Sequence, residues 1–153
     1  MKTVVYSHRS GVEVVSIQIV DEVRKIFGNT SESLKRYANR SFKEDILLAL
    51  KRGGWSDIVK LDETIANISI TSMRDRIGLC FQTGNVARMY ADLLKLQVLY
   101  RRGTVRCGIV IVPTRESGEH FGSNCATYER LSREMPIFDQ AIDMPLVIIG
   151  FYE

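Results

Sequence analysis

Residues 77–82 alternate between apolar side chains and smaller or polar ones, which is the pattern of a β-strand. The odd-numbered positions are isoleucine, leucine and phenylalanine, and the even-numbered positions are Gly78, Cys80 and Gln82. Because successive side chains of a strand point to opposite faces of a sheet, the apolar set predicts a core face. The other face carries a thiol and an amide, and packing alone does not explain it.

Strand-like patterns recur in five further segments: residues 3–7, 12–16, 65–73, 105–112 and 145–152. The first two flank Arg9-Ser10-Gly11, and the last two are almost continuously apolar, as in strands that are buried on both faces. Only Arg74-Asp75-Arg76 separate residues 65–73 from residues 77–82. Such a short connection predicts a β-hairpin.

Four segments have apolar residues at the spacing of a helix: residues 17–27, 41–52, 86–102 and 124–135. Ser41 and Glu44 form a capping box before the second helix, and Asn85 is suited to cap the third. The order of elements predicts an α/β fold in which helices flank both faces of a mixed central sheet. At 153 residues, the chain is expected to form a single domain over residues 1–153.

The turn sets the register of the predicted hairpin. If Asp75 and Arg76 are the turn residues, then Arg74 pairs with Ile77, and Thr71 lies opposite Cys80. Directly opposed residues share a face, with Cβ atoms about 5 Å apart. One side of the hairpin is therefore expected to present a small polar cluster: Ser69, Thr71, Cys80 and Gln82.

Charge is unevenly distributed along the chain, although the net charge is only +3. Residues 74–106 contain seven basic and two acidic residues, whereas residues 114–153 contain three and seven. A basic segment indicates an anionic partner such as nucleic acid, although a solvated helix face would give the same composition. Arg74, Arg76 and Arg88 are the candidates for phosphate contacts.

Composition argues against several other classes of protein. The three cysteines form no CxxC pair and only two histidines are present, so a structural zinc site is not expected. Unpaired thiols favour a reducing compartment such as the cytoplasm. No signal-peptide pattern occurs and no apolar run approaches the roughly 18 residues of a membrane span, so no membrane partner is expected.

In order along the chain, these segments resemble the type II restriction endonucleases of the BglII and BstYI group, within the PD-(D/E)XK nucleases. The similar segments are VVYSHRSGVE, FKEDILLALKRGGW, DRIGLCFQTGN with DLLKLQ, GIVIVP and PLVIIG. The resemblance covers nearly the whole chain and implies a restriction-endonuclease-like three-layer sandwich. It also implies double-stranded DNA as the partner and a homodimer, with the amphipathic helix 86–102 as the expected dimer element.

The resemblance also implies the position of a metal site. In that family, an aspartate on the first hairpin strand is followed nine positions later by a glutamate, one residue and a glutamine. The two carboxylates bind a divalent ion that activates water and stabilises the pentacovalent phosphate. The corresponding positions here are Thr71, Cys80 and Gln82. The glutamine is kept and both carboxylates are replaced.

A replaced metal site leaves three hypotheses for function. The first is a DNA-binding protein without cleavage and without a resident metal. The second is an active Mg²⁺-dependent nuclease with a migrated carboxylate. Glu44 is the candidate for it, because in this fold its helix packs beside the site, although Glu44 is also explained by the capping box. The third is a protein-interaction module that does not bind DNA.

Overall fold

The computed structural model describes residues 1–29, 34, 39–65 and 68–153. The helices and strands are, in chain order, β1 (Lys2–His8), α1 (Gly11–Val15), α2 (Ile17–Gly28), α3 (Asn39–Arg52), β2 (Val59–Lys60), β3 (Ser69–Ile70), β4 (Ser72–Arg74), β5 (Ile77–Phe81), α4 (Val86–Arg101), β6 (Cys107–Pro113), α5 (Arg115–Gly118), α6 (Tyr128–Glu134) and β7 (Leu146–Tyr152).

Five strands form the central sheet in the order β1-β7-β6-β5-β4. The strands β5, β6 and β7 run parallel to one another, whereas β1 and β4 pair antiparallel at the two edges. The strands β2 and β3 form a separate antiparallel pair. The mixed sheet confirms the predicted α/β class, because a hairpin supplies one antiparallel edge and helical crossovers link the parallel strands.

Helices cover both faces of the central sheet, which gives the three-layer sandwich expected from the sequence. On one face, α2 and α3 bury Phe27 and Phe42 in a first core. On the other face, α4 and α6 form a second core that includes Leu96 and Leu131. Gly78 allows α4 to approach β5 closely, since a Cβ at this position would lie 2.6 Å from Leu96 Cδ2.

The prediction of a strand over residues 12–16 was wrong, because this segment contains the short helix α1. Arg9 and Ser10 have φ values of 47° and 55°, so the chain turns sharply directly after β1. Gly11 then packs on the backbone of Leu146, where a Cβ would lie 2.1 Å from the carbonyl oxygen. The turn places the following residues against the face of the sheet and not in line with it.

Two helix starts also differ from the sequence prediction. Helix α3 begins at Asn39, so Ser41 lies inside the helix and is not its N-cap. The predicted helix over residues 124–135 begins only at Tyr128, where Thr127 Oγ1 accepts a hydrogen bond from the backbone N–H of Arg130. The start of α4 is as predicted, since Asn85 Oδ1 accepts a hydrogen bond from the N–H of Arg88.

Candidate functional site

The hairpin of β4 and β5 has the predicted turn. Arg74 pairs with Ile77, and Ser72 pairs with Leu79. The two turn residues between the strands have φ values of 52° and 61°, which is the left-handed backbone of a two-residue hairpin turn. The register predicted from the sequence is therefore confirmed from Arg74 back to Ser72.

The hairpin departs from the prediction at Thr71, where the chain bends between β3 and β4. The Thr71 hydroxyl accepts a hydrogen bond from the backbone N–H of Phe81 at 2.9 Å, in place of a strand carbonyl. Because of this bend, Ile70 packs in the core beside Gly78 and α4. Thr71 instead lines a cleft against α3. The prediction that Thr71 shares the face of Cys80 was therefore wrong, and Ser69 pairs with Lys60 in the separate β2–β3 pair.

Cys80 is buried in the core under α4, with 1% of its surface exposed. Burial raises the pKa of the Cys80 thiol far above its usual value, and the nearby Asp92 carboxylate raises it further. The thiol is therefore protonated at neutral pH, and a protonated thiol is neither a nucleophile nor a metal ligand.

Gln82 belongs to a partly buried polar network with Asp92 and Lys95 of α4. Gln82 Nε2 donates a hydrogen bond to Asp92 Oδ2 at 3.0 Å, and Gln82 Oε1 accepts one from the N–H of Gly84 at 2.8 Å. Lys95 Nζ donates to Asp92 Oδ1 at 2.9 Å. Asp92 is only 6% exposed, so this carboxylate depends on these two donors for its solvation.

Asp92 and Lys95 were not predicted as site residues from the sequence. Their signal is present, because Asp92 interrupts the apolar stripe of α4 between Met89 and Leu96. A carboxylate on the buried side of a helix requires a partner, and Lys95 one turn later is suited to provide it. The contact with Gln82 depends on how α4 packs on β5, which the sequence does not specify.

Glu44 lies away from this network. Its helix, α3, buries Phe42, Ile46 and Leu50 in the first core, whereas Asp92 and Gln82 meet beneath α4 on the second. The Glu44 side chain is exposed on its helix. Glu44 and the network are therefore carried by helices that cover opposite faces of the sheet.

The candidate arginines of the hairpin are engaged within the protein. Arg74 Nη1 contacts Glu22 Oε2 at 2.7 Å and the carbonyl oxygen of Gly53 at 3.0 Å. Arg76 Nη2 donates to the carbonyl oxygen of Gly103 at 2.8 Å. Arg88 is exposed in the first turn of α4, and its guanidinium has no hydrogen bond or ion pair with the part of the chain that the structure describes.

The rest of the basic segment is similarly engaged. Arg101 pairs with Asp143 at 2.6 Å, and the guanidinium groups of Arg102 and Arg106 donate to backbone carbonyl oxygens at 2.7 Å. Apart from Arg88, each basic residue of segment 74–106 is thus engaged within the protein. These side chains mainly stabilise the fold through internal hydrogen bonds and ion pairs, although a guanidinium bonded to a carbonyl keeps its positive charge.

A second basic group was not singled out from the sequence. Arg115, Arg130 and Arg133 line one groove beside the loop 122–127, near the start of α4. Arg130 is paired with Glu134 at 3.1 Å. The exposed guanidinium groups of Arg115 and Arg133 make no hydrogen bond or ion pair with any described residue. Segment 114–153 is acidic overall, which is why charge counting along the chain missed this groove.

An apolar surface lies on the outer side of α4 and the segment 137–142, and we call it the α4 surface. Leu94 is 61% exposed, Ile137 is 76% exposed, and Val98 is also exposed. Leu94 also lines an apolar groove together with Tyr90, Leu93, Phe138, Ala141 and Ile142. Large apolar side chains that gather on one surface usually mark an interaction site.

The three-layer sandwich, with a polar site where a β-hairpin meets the next helix, defines the restriction-endonuclease-like class of fold. The family described as "Restriction endonuclease BglII/BglIII" matches residues 3–151. The chain belongs to this family.

Relatives and solved structures agree with this assignment. The chain is 29% identical to the type II restriction enzyme BamHI of Bacillus amyloliquefaciens over 108 residues, which are 70% of this chain and 46% of BamHI. The chain thus spans about half the length of that relative. Its fold is similar to BglII complexed with a DNA 16-mer (TM-score 0.82, 11% identity, all of this chain and 77% of BglII) and to free BglII (TM-score 0.70, 15% identity, all of this chain and 80% of BglII).

The donor set at this site does not fit a Mg²⁺ ion. Magnesium is usually held by one or two carboxylates, whereas Thr71 and Cys80, the two residues expected at the metal site from the sequence, carry none. Asp92 is the carboxylate of the polar network, and the ammonium group of Lys95 already lies 2.9 Å from its Oδ1 atom. Among the described residues, no group of three or more His, Cys, Asp or Glu side chains is arranged to hold a metal. In the same residues, no helix is long and apolar enough to cross a membrane.

Proposed function

We propose that this chain is a single restriction-endonuclease-like domain, over residues 1–153, that binds double-stranded DNA and lacks Mg²⁺-dependent cleavage. Membership of the BglII/BglIII family over residues 3–151 supports the DNA partner, since BglII itself is seen with a DNA 16-mer. The replacement of both family carboxylates supports the proposed lack of Mg²⁺-dependent cleavage. Thr71 is bound to a strand amide and Cys80 is a buried thiol, so neither supplies the oxygen ligands that a divalent ion requires.

The groove lined by Arg115, Arg130 and Arg133, which we call the arginine groove, is the surface that best suits a DNA backbone. Arg115 and Arg133 have no internal counter-ion among the described residues, whereas Arg74 is already paired with Glu22. Arg88 is exposed at the nearby N-terminal turn of α4. Guanidinium groups bind phosphates through paired N–H donors and do so without reading sequence. We therefore expect contacts to phosphates more than to bases.

The DNA-binding proposal is tested by fluorescence anisotropy with labelled duplexes over a range of salt concentrations. The variant Arg115→Ala/Arg133→Ala should lower affinity equally for all sequences and reduce the slope of log K against log salt by about 0.9 for each lost phosphate contact. The matched control is Arg74→Ala/Arg76→Ala, which removes the same charge from side chains that are engaged internally. Absence of binding at low salt would favour the protein-interaction module instead.

The loss of cleavage is tested with supercoiled plasmid and Mg²⁺ or Mn²⁺. We expect no metal-dependent nicking above that of a buffer control. Nicking that disappears in Asp92→Asn would contradict this proposal and support an active nuclease with a relocated carboxylate. Asp92 is the better candidate for that alternative than Glu44, because Asp92 contacts Gln82 directly.

We further propose that the chain forms a homodimer through the α4 surface. The exposed side chains of Leu94 and Ile137 and the apolar groove that Leu94 lines support this assembly. Light scattering after gel filtration should give twice the monomer mass for the wild type. Leu94→Glu/Ile137→Glu should give the monomer mass, whereas Leu48→Glu, on a leucine of α3 that is 49% exposed, should leave the dimer intact.

We place the protein in the cytoplasm. All three cysteines are unpaired thiols in the structure, and such thiols persist in a reducing compartment. Fractionation of cells that express the chain would test this, and recovery in an oxidising compartment with a disulfide would contradict it.

A further inference from the structure

The Gln82–Asp92–Lys95 network is fully satisfied without any ion. Asp92 Oδ2 accepts the Gln82 amide at 3.0 Å and Asp92 Oδ1 accepts the Lys95 ammonium at 2.9 Å. The Lys95 side chain is 25% exposed and Asp92 9%. Lys95 therefore reaches in from the surface along α4 while its charge lies on the buried carboxylate.

This network lies beside Cys80 and Gln82, two of the three positions at which the family resemblance implies a metal site, whereas the third, Thr71, lines the cleft against α3. Gln82 stands at the third position of the family pattern, and Cys80 stands at the second. Cys80 packs in the core beneath α4, the helix that carries both Asp92 and Lys95. A carboxylate and a cation are thus present at this place, but both come from α4.

We propose that the Lys95 ammonium takes the place of the divalent ion, so that the chain carries its own cation at the former metal site. This inference deepens the proposed loss of Mg²⁺-dependent cleavage and rests on it for the identity of the site. The physical requirement is the same in both cases, because a buried carboxylate is stable only beside a positive charge or when it takes up a proton.

The test is thermal unfolding of Lys95→Met without DNA, in chelator and then with Mg²⁺, Ca²⁺ or Mn²⁺. In chelator, the variant should lose roughly 5–10 °C in Tm, because Asp92 remains buried without its cation. Divalent ions should restore part of that loss, while the wild type should not respond to them. The matched control is Lys60→Met, which removes an exposed i,i+3 pair with Glu63 and should change Tm by no more than about 2 °C.

A second variant covers the case in which Lys95→Met does not fold. Asp92→Asn/Lys95→Met replaces the ion pair by neutral groups, and it should fold with a Tm above that of Lys95→Met and without a response to divalent ions. The proposal is overturned if the wild type is stabilised by divalent ions, if Lys95→Met responds no more than Lys60→Met, or if the double variant is as unstable as Lys95→Met. Plasmid cleavage that persists in Asp92→Asn would instead overturn the proposed loss of activity alone.

Discussion

The two faces of the central sheet differ in the kinds of side chain that pack on them. Under α2 and α3, four phenylalanines have ring centroids 5.1 to 6.1 Å apart: Phe27, Phe42, Phe81 and Phe151. Under α4, a glycine, a thiol and the Gln82–Asp92–Lys95 network lie among the aliphatic side chains. The polar network lies on the second face, while the aromatic packing lies on the first. A change of site residues is therefore compatible with an unchanged fold.

The largest expected effect is on the aromatic face. Phe151→Ala removes a ring that contacts Phe27, Phe42 and Phe81, and it should lower the free energy of unfolding by about 3–5 kcal/mol. Urea denaturation measures this loss. On the other face, Cys80→Ala should cost only about 1 kcal/mol. Equal losses for the two variants would contradict the contrast between the faces.

An intermediate effect is expected at the bend of the hairpin. Thr71→Val keeps the shape of the side chain but leaves the Phe81 N–H without its acceptor, so it should cost about 1–3 kcal/mol. Thr71→Ser keeps the hydroxyl and should lose less. If the valine variant is as stable as the wild type, Thr71 is not what ends the pairing of β4 with β5.

The smallest effect is expected at the exposed pair of Arg9 with Asp139, which attaches the edge of the α4 surface to β1. The Arg9 hydrogen bond lowers the pKa of Asp139. The stability that the folded protein gains from this ion pair is therefore present above the unfolded pKa of about 3.9. It is lost as the pH falls through the lower pKa of Asp139 in the folded protein.

Asp139→Asn should thus give a small decrease in Tm at neutral pH that disappears in acid. Thermal unfolding of both proteins across that range measures the difference, and Arg9→Ala should remove the same pH dependence. A difference in Tm that grows towards acid would contradict the assigned sign.

Much of the fold is predictable because it depends on local periodicity. The alternation at residues 77–82 and the continuous apolar runs at 105–112 and 145–152 each gave a strand of the central sheet. The failures have local causes that composition does not encode. The turn at Arg9 and Ser10 uses positive φ values on residues that are not glycine, and the bend at Thr71 reverses which side chains face α4.

The candidate site was predicted less completely than the fold. Gln82 was identified by its spacing in the family pattern, but its partner Asp92 lies ten residues on in a helix, and their contact depends on tertiary packing. Conversely, Arg74 and Arg76 were candidates for phosphate contacts because they lie at a turn. In the structure, Arg74 contacts Glu22 and Arg76 donates to the carbonyl oxygen of Gly103. Counting charges along the sequence does not distinguish an arginine that is bonded within the fold from one that is exposed to solvent.

The position of β7 has a consequence for how the chain folds. This last strand lies between β1 and β6 and pairs with β1 from Lys2–Tyr152 to His8–Leu146. The contact closes a loop of almost the whole chain, and such loops are entropically costly to form early. The hairpin, α4 and β6 are close in sequence and are expected to assemble first. The rate-limiting step should then be the arrival of β7, with β1 added to its outer edge.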